Sequence, residues 1–553
     1  MSGVFGIDLG TTNSVIAELV DGRAVPIPVD GSPIVPSVVL YGPDGIVAGR
    51  AARNLQLQHP TSSVKSSKRH MGTAHRFDVG GRTVSPEEVS AEVLKALKRG
   101  AEAHTGRPIK DVVITVPAYF DDAQRRATLA AGELAGFHVL RLLNEPTSAA
   151  LVYEQVPGAS ADVPENLLVY DLGGGTFDVS VLEVFQGVRE VRAIAGNTHL
   201  GGDDFDELLT RRFLDTLKIR HGVDLREDPV AMARLSRLAE DSKIQLSTQT
   251  QIVVRQEFLA TVAGQPIHLE LPLTRRDLEE LLLPLLESTV ELARKAVRDA
   301  GLTPQDLNRI CLVGGSTRVP LVRQLLEAAF PVPVHEEIDP DLAVGLGAAV
   351  QAGLLQGAAV SRILVDVAAH TLGIRTLDGE SGLPTHFAPV LRRNTALPAT
   401  RAEEFYTLVD NQEDLTVEVF QGEHPEADEN TRIGSFDFPL LPSREGSPVR
   451  VEFTYDLNGV VKVGVSQPGT ANQKTVALSV ADAARNAAAP GAHTPSAVER
   501  KARRLLETLQ GAPKAQLEAL LSQCSGPDPE EAEAALLDFF LDHEDAGGAG
   551  GAG

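Results

Sequence analysis

The chain has 553 residues, 43% hydrophobic and 23% charged, and 51 basic against 75 acidic side chains leave a formal charge of −24. At about 100–200 residues per domain this is an ordinary globular composition spread over several domains, which excludes a disordered chain or a coiled coil. The acidic balance also argues against a nucleic-acid-binding surface, which needs clustered Lys and Arg.

No apolar run reaches the roughly 18 residues that cross a bilayer. The richest, 281–286 and 348–355, are short or flanked by charges. Two cysteines, Cys311 and Cys524, cannot form a disulfide framework and read as reduced thiols. A strand-like pattern begins by Val4, leaving no room for a signal peptide. The expected compartment is therefore the cytoplasm, with neither membrane nor nucleic acid as a partner.

In chain order, the first element is a strand, a Gly/Thr turn and a second strand over 6–19, with Asp8 before Gly10, Thr11, Thr12 and Asn13. Residues 112–116 read as an apolar strand ended by Pro117. A helix follows over 121–135, with Asp121 or Asp122 as its N-cap and Gly136 at its end. The opening motif then returns: Asp171 precedes Gly173, Gly174, Gly175 and Thr176, and 179–184 alternates as a half-buried strand. Two such hairpins, 163 residues apart from Asp8 to Asp171, suggest two related lobes. Helical spacing covers 235–246 and 277–300, where Gly301 closes the second helix. A strand at 310–313 runs into Gly314, Gly315 and Ser316, and a helix spans 320–329. The mixture indicates an α/β region to about residue 360.

Beyond the small-residue stretch 357–361 and the short apolar run Ile363, Leu364, Val365, the texture changes. Strands at 416–420, 449–453, 460–465 and 476–480, punctuated by Gly, Pro and Asn, read as a β-sandwich. From Ser496 helices return, with Val498, Ala502, Leu505, Leu506 and Leu509 on one face, and 547–553 is a Gly/Ala tail.

Gly/Thr turns behind an Asp at a strand end have a physical purpose. Glycine lets backbone N–H groups approach phosphate oxygens, Thr hydroxyls add donors, and the Asp can order Mg²⁺ through its water shell. One hairpin would be weak evidence, because such turns are common. Two that could face each other across a cleft are far stronger, and the turn at Gly314 adds a third nucleotide contact.

Over essentially residues 3–480 the chain resembles the 70-kDa heat-shock chaperones of the DnaK type, within the superfamily that also holds actin and the sugar kinases. The resemblance rests on segments 6–14, 113–120, 144–149, 169–180, 196–206, 312–320, 339–352 and 410–423. It implies a two-lobed actin-like α/β ATPase domain over 1–360, a linker at 361–369, a β-sandwich peptide-binding domain at 370–480, a short helical lid at 481–546 and a tail at 547–553. The implied activity is that of an ATP-hydrolysing chaperone of protein folding and stress response, which binds and releases extended hydrophobic segments. Its cofactors would be ATP/ADP and Mg²⁺, with K⁺ as a further ion. Its partners would be unfolded polypeptides, a J-domain co-chaperone and a nucleotide exchange factor.

Carried over by residue, the resemblance makes Thr11, Thr12, Asn13, Gly173, Gly174 and Gly175 phosphate contacts, with Gly201 and Gly202 in a further phosphate-side loop. Asp8 and Asp171 would order Mg²⁺ largely through water, with Glu145 nearby. Lys68 would place the attacking water, and Thr176 and Asp178 would stand next to the γ-phosphate. Glu240, Lys243 and Ser247 would bind adenosine on one side, opposite Gly314, Gly315, Ser316, Arg318 and Asp341. Taken alone, Lys68 reads as a solvated lysine, Glu145 as a turn carboxylate, and Lys243 and Ser247 as polar helix positions. Pro117, Arg125 and Arg141 match positions that relay nucleotide state to the linker. Residues 363–366 match the linker itself, although the same run also reads as an edge strand. Ile374, Leu377, Phe405, Leu408, Leu415 and Val417 would line the peptide cleft, or else be plain sandwich core.

Four departures stand out: a lid confined to about 496–543, a short segment between Met71 and Ser85, Arg362 in place of an aliphatic residue, and Ala368-Ala369-His370 in place of a Thr-Pro stretch. The short lid keeps open a second reading, a holdase or exchange factor with weak ATP coupling. A sugar- or acetate-type kinase is a third, which the all-β segment opposes.

Overall fold

A computed structural model describes residues 3–153, 164–262, 264–335, 338–358, 363–379, 382–478, 506 and 512–523. The two hairpins found in the sequence each sit at the centre of a sheet. Val4–Leu9 pairs in parallel with Asp111–Val116 and antiparallel with Asn13–Val20. In the same way Glu165–Leu172 pairs in parallel with Arg309–Val313 and antiparallel with Phe177–Phe185. The first sheet runs His138–Asn144, Asp111–Val116, Val4–Leu9, Asn13–Val20, Arg23–Pro26. The second repeats that order with Val334–His335, Arg309–Val313, Glu165–Leu172, Phe177–Phe185, Val188–Asn197. The chain thus contains two lobes of one topology.

Both central strands are buried on both faces, as parallel sheets covered by helices must be. Phe5, Ile7, Leu94, Leu97 and Phe120 belong to the first lobe's core, and Tyr170, Phe177, Phe213, Leu282 and Leu312 to the second's. Each such side chain contributes about 1.5–3 kcal/mol on burial. The helix Ala343–Leu355, late in the chain, lies against Val4–Leu9 and Glu145–Tyr153 and so crosses back to the first lobe. Asp122–Leu134 begins at an Asp121 N-cap that exchanges bonds with Gln124, and Gly136 follows its end at φ 75°.

The later segment forms two four-stranded sheets. One orders His386–Leu391, Leu372–Thr376, Asp414–Gln421, Thr431–Pro439; the other Ala399–Tyr406, Pro448–Tyr455, Val461–Ser466, Gln473–Ala477. Val449, Val451, Phe453 and Tyr455 alternate into the core between them. The last strand lies a few residues earlier than the 476–480 of the sequence pattern, because Val461–Ser466 pairs from Lys462↔Ala477 to Ser466↔Gln473. Of the two readings of the apolar run Ile363–Val365, the edge strand is seen. It is the edge strand of the second lobe's sheet, parallel to Val188–Glu190, and it leads into the β region.

Polar contacts fasten the β region to both lobes. Asp122 Oδ1 accepts from Val461 N at 2.9 Å, Arg126 donates to Val461 O at 3.0 Å, and Leu142 N donates to Asn458 Oδ1 at 3.0 Å. Arg393 makes two bonds to Asp299, at 2.7 and 3.0 Å, on the second lobe's helix Arg275–Asp299. Among the described residues no helix is long and apolar enough to cross a membrane. Of the expected lid, Ala512–Gln523 is a helix. The rest of it, with Arg362, Cys524 and the tail, lies outside the described residues, apart from residue 506.

Candidate functional site

A cleft of about 360 Å³ opens between the lobes where the two hairpin turns face each other. The first turn presents Gly10, Thr11, Thr12 and Asn13; the second presents Gly173, Gly174 and Thr176. Two glycines make this approach feasible. A Cβ at Gly174 would come within 1.8 Å of Thr12 Oγ1, so only glycine lets the turns meet. Gly314 sits at φ +81°, where a Cβ would meet Leu172 O at 2.4 Å and the Asp171 carboxylate at 2.8 Å.

The second turn is held from both sides. Gly202 N and Asp203 N donate to Gly173 O and Gly174 O at 3.0 and 2.7 Å, and Ser316 Oγ donates to Gly173 O at 2.8 Å. Gly202 opens the helix Gly202–His221, whose positive end therefore points at the turn.

Three carboxylates and one lysine line the floor, and a fourth carboxylate, Asp178, stands behind it. Asp8 and Asp171 end the two central strands, Glu145 opens the helix Glu145–Tyr153, and Asp178 starts the return strand opposite Asp171. Lys68, on the short turn Ser67–His70, is only 4% exposed and pairs with Glu145 at 2.5 Å. One ammonium among four acids leaves the floor short of positive charge. Burial, then Glu145, pushes Asp8 up to about 7, against the opposing pull of Lys68 and of the Thr115 hydroxyl. Burial and the neighbouring acids Glu145, Asp178 and Asp8 hold Asp171 well above the usual carboxylate range. Asp178 is pushed to about 7 by burial and Glu145, although it accepts from Tyr119 N at 3.0 Å. Asp171 Oδ2 and Thr12 Oγ1 are buried with no hydrogen-bond partner.

These orphaned atoms and under-compensated acids fit a bound cation with phosphate. Among the described residues no three His, Cys, Asp or Glu side chains converge to chelate a metal alone. A Mg²⁺ here would accordingly take water and phosphate as most of its ligands.

The outer part of the cleft is lined by Glu240, Lys243 and Ile244 on one side and by Gly314, Gly315, Ser316, Arg318 and Asp341 on the other. Arg318 bonds to Asp341 at 2.8 Å and to Asp339 at 2.6 Å, which holds its guanidinium flat at the rim. Lys243 is paired with Asp206 at 2.8 Å; burial lifts Asp206 to about 6 against that pull. Glu240 pairs across the lobes with Arg53 at 2.6 Å. Burial acts upward on it, but the Arg53 bond and charge outweigh it and hold Glu240 below its ordinary value.

Four of the residues singled out in the sequence stand outside the lining. Ser247 spends its hydroxyl on Lys243 O of its own helix at 2.9 Å. Asp178 lies behind the wall, and Gly175 and Gly201 lie against Thr11 and Gly174, where a Cβ would approach to 2.6 Å. Sequence reasoning missed Asp203, Asp206, Ile244, Pro340 and Val344 in the lining. Asp203 follows Gly202 directly and Asp206 comes one helical turn later, so both could have been flagged from that spacing; the others carry no local signal.

From the floor, a chain of bonds leads to Asp366, which follows the strand Ile363–Val365. Asn144, next to Glu145, accepts from Arg125 at 2.8 Å and donates to Asp366 Oδ2 at 2.9 Å. Arg125 also donates to Ala118 O and Phe120 O, both at 3.1 Å, just beyond Pro117. Arg141 is half-buried near Asp366; burial lowers it and the Asp366 charge raises it, the first effect prevailing.

The expected peptide-cleft residues are distributed over both β sheets. Ile374 and Val417 are core-buried, Phe405 and Leu415 pack partly against that core, and Leu377 and Leu408 are 42% and 58% exposed.

The model of the family described as Hsp70 protein matches residues 4–79 and 73–489. A chaperone protein DnaK of Thermotoga petrophila is 44% identical over 486 residues, covering 86% of this chain and 80% of the relative. One of the same name from Thermotoga sp. strain RQ2 has the same identity and coverage.

Proposed function

The chain belongs to the Hsp70 family and is a chaperone ATPase of the DnaK type, and we propose that it does this work by hydrolysing ATP in the cleft between its lobes and passing the result through residues 361–369 to the β region. The observation that carries this reading is the floor of Asp8, Lys68, Glu145 and Asp171 facing the two Gly/Thr turns, with Asp171 Oδ2 and Thr12 Oγ1 buried and unsatisfied.

In this reading the turn N–H groups and the Thr11, Thr12 and Asn13 side chains hold the phosphates. Gly201 and Gly202 close on them from the helix end. The adenosine lies between Glu240 and Lys243 and the wall of Gly314, Gly315, Ser316, Arg318 and Asp341, with Ser247 one turn further along the helix and outside the lining. Mg²⁺, held through water by Asp8, Asp171 and Glu145, would neutralise charge on the phosphate oxygens. Lys68, pinned by Glu145, orients the in-line water, Thr176 stands beside the terminal phosphate, and Asp178 acts from behind the wall. Phosphoryl transfer to water is governed by positioning and charge stabilisation, so a slow turnover suits the arrangement.

Hydrolysis changes the floor, and the route to the β region starts one residue away. Glu145 is followed back to Asn144, then Asp366, which begins the β-ward side of the linker strand. Arg125 and Arg141 flank that route. Nucleotide with differential contacts in docked and undocked forms would shift their populations, and with them the grip of Ile374, Leu377, Phe405, Leu408, Leu415 and Val417 on an extended peptide. Unfolded polypeptides, a J-domain co-chaperone and a nucleotide exchange factor are the proposed partners, and the cytoplasm the proposed compartment. The bond that runs from Asn144, next to Glu145, to Asp366 supports this reading over a holdase with weak ATP coupling.

The test is ATP turnover and nucleotide binding by the purified chain against Asp171→Asn. Mg²⁺-dependent hydrolysis lost in the variant is expected. Hydrolysis that survives the substitution would overturn the assignment of the cleft.

A further inference from the structure

The Ala368-Ala369-His370 departure brings one side chain to the junction of the β region and the first lobe that the reading above does not use. His370 Nε2 lies 3.0 Å from the carbonyl oxygen of Tyr119, and the two rings are 4.2 Å apart at 59°. A carbonyl only accepts, so Nε2 is the donor. The N–H of the same Tyr119 donates to Asp178 Oδ1 at 3.0 Å. The imidazole therefore grips, by ring and by carbonyl, the residue that orients Asp178.

That grip is rigidly mounted. Thr371 is tied through its N–H and hydroxyl to Glu423, both at 2.9 Å, and Arg393 is tied to Asp299. These bonds fix the backbone next to His370 within the β region, so undocking of that region takes the imidazole away from Tyr119. Four kinds of charged or titratable group face this junction: Arg125 from the helix Asp122–Leu134, Arg393 and Glu423 from the β region, the Tyr119 phenol, and Asp178 behind it. Accepting bonds from Thr371 and the Tyr119 amide does not cancel the charge of Glu423 and Asp178, and Arg393 is itself paired with Asp299 of the second lobe, so burial is the main influence on the imidazole.

We infer that His370 is a positioning residue: its neutral imidazole ties docking of the β region to the Tyr119 peptide that holds Asp178, and protonation releases the tie. The inference rests on the reading of Asp178 as part of the ATP cleft.

Burial above all, then the charges of Arg125 and Arg393, hold the imidazole down to about 4 against an ordinary 6.5, the Tyr119 bond opposing them. A histidine held low in the docked form favours undocking as pH falls through that interval. From about pH 7.5 to about pH 5.5 the docked-to-undocked ratio falls roughly tenfold. Burial holds the interface acids Asp121, Asp122 and Asp366 above their ordinary values, which strengthens docking as pH falls. The sign of the response thus separates the histidine from the carboxylates.

The chain contains no tryptophan, and Leu457 lines a cavity against Leu140, Arg141 and Leu355 at the junction. A full-length Leu457→Trp reporter in Mg-ATP therefore reads docking by fluorescence, with single-turnover hydrolysis measured on the same samples. The parent should undock about tenfold on acidification to about pH 5.5. His370→Gln keeps a donor without a titrating group, and should dock and hydrolyse like the parent at neutral pH without the acid response. His370→Leu should lower the single-turnover rate at least about threefold with the ATP KM within about twofold, because the Asp178 segment is released rather than the pocket altered. An acid response surviving in His370→Gln would overturn the proton tie. A His370→Leu rate equal to the parent's would overturn the positioning role. A parent that does not hydrolyse ATP would instead refute the reading of the cleft.

Discussion

Replacing Lys68 is the perturbation whose consequences the structure fixes most fully. Its side chain is 4% exposed, pairs with Glu145 at 2.5 Å, and acts downward on the acids Asp8, Asp171 and Asp178. Lys68→Ala removes the only lysine or arginine that lines the floor among the described residues and leaves Glu145 buried without this partner. Breaking a buried pair from one side costs about 3–5 kcal/mol. The cell of acids relieves part of that by taking up protons, so the loss of stability should be larger at about pH 8 than at about pH 6. Removing a preorganised donor at the reacting centre typically lowers turnover about 10²–10³-fold. Single-turnover ATP hydrolysis, with nucleotide binding measured in parallel, checks the rate; thermal melts of the ligand-free chain check the stability. A variant that hydrolyses ATP within about threefold of the parent would refute the placement of Lys68 at the attacking water.

Asp366→Ala leaves the Asn144 amide without its acceptor and Val367 N without its cap. It should cost about 1–3 kcal/mol of linker docking and abolish ATP-induced peptide release while ATP binding persists, as limited proteolysis of the linker and peptide off-rates would read. The pH dependence of the ligand-free chain follows from Asp8 and Asp178, both held up to about 7. A carboxylate whose folded value is raised stabilises below its unfolded value and loses that contribution as pH rises through the folded one. Melting temperature should therefore fall between about pH 6 and about pH 8, and Mg-ATP should restore more of it at the higher pH. Ser85→Ala removes the capping box shared with Glu88 at the start of Pro86–Thr105; denaturant unfolding should register a loss of about 1 kcal/mol with ATP turnover unchanged.

What the sequence made legible was local. The Asp-Gly-Thr hairpins announced themselves because the turns permit little else, and their repetition foretold two lobes of one topology. Glycines and caps marked helix ends: Asp121 opens a helix as expected, and Gly301 follows another at φ +74°. Whatever depends on separation along the chain was hidden. Asp206 meets Lys243, Arg53 meets Glu240, and Arg126 reaches Val461 across 335 positions, with nothing local to betray them. Ser247 shows the converse, a polar helix residue whose hydroxyl is spent on its own backbone. The run Ile363–Val365 could not be told as an edge strand from its own residues, because its partner Val188–Glu190 lies far earlier in the chain. His370 was visible only as an anomaly, since its meaning comes from Tyr119, 251 positions earlier.

The central claim is that ATP in the cleft governs the β region. Fluorescence anisotropy of a labelled, leucine-rich extended peptide on the full-length chain tests it most directly. The account predicts that the peptide is held with ADP and released rapidly when Mg-ATP is added. Binding that ignores the nucleotide, or no binding at all, would contradict it.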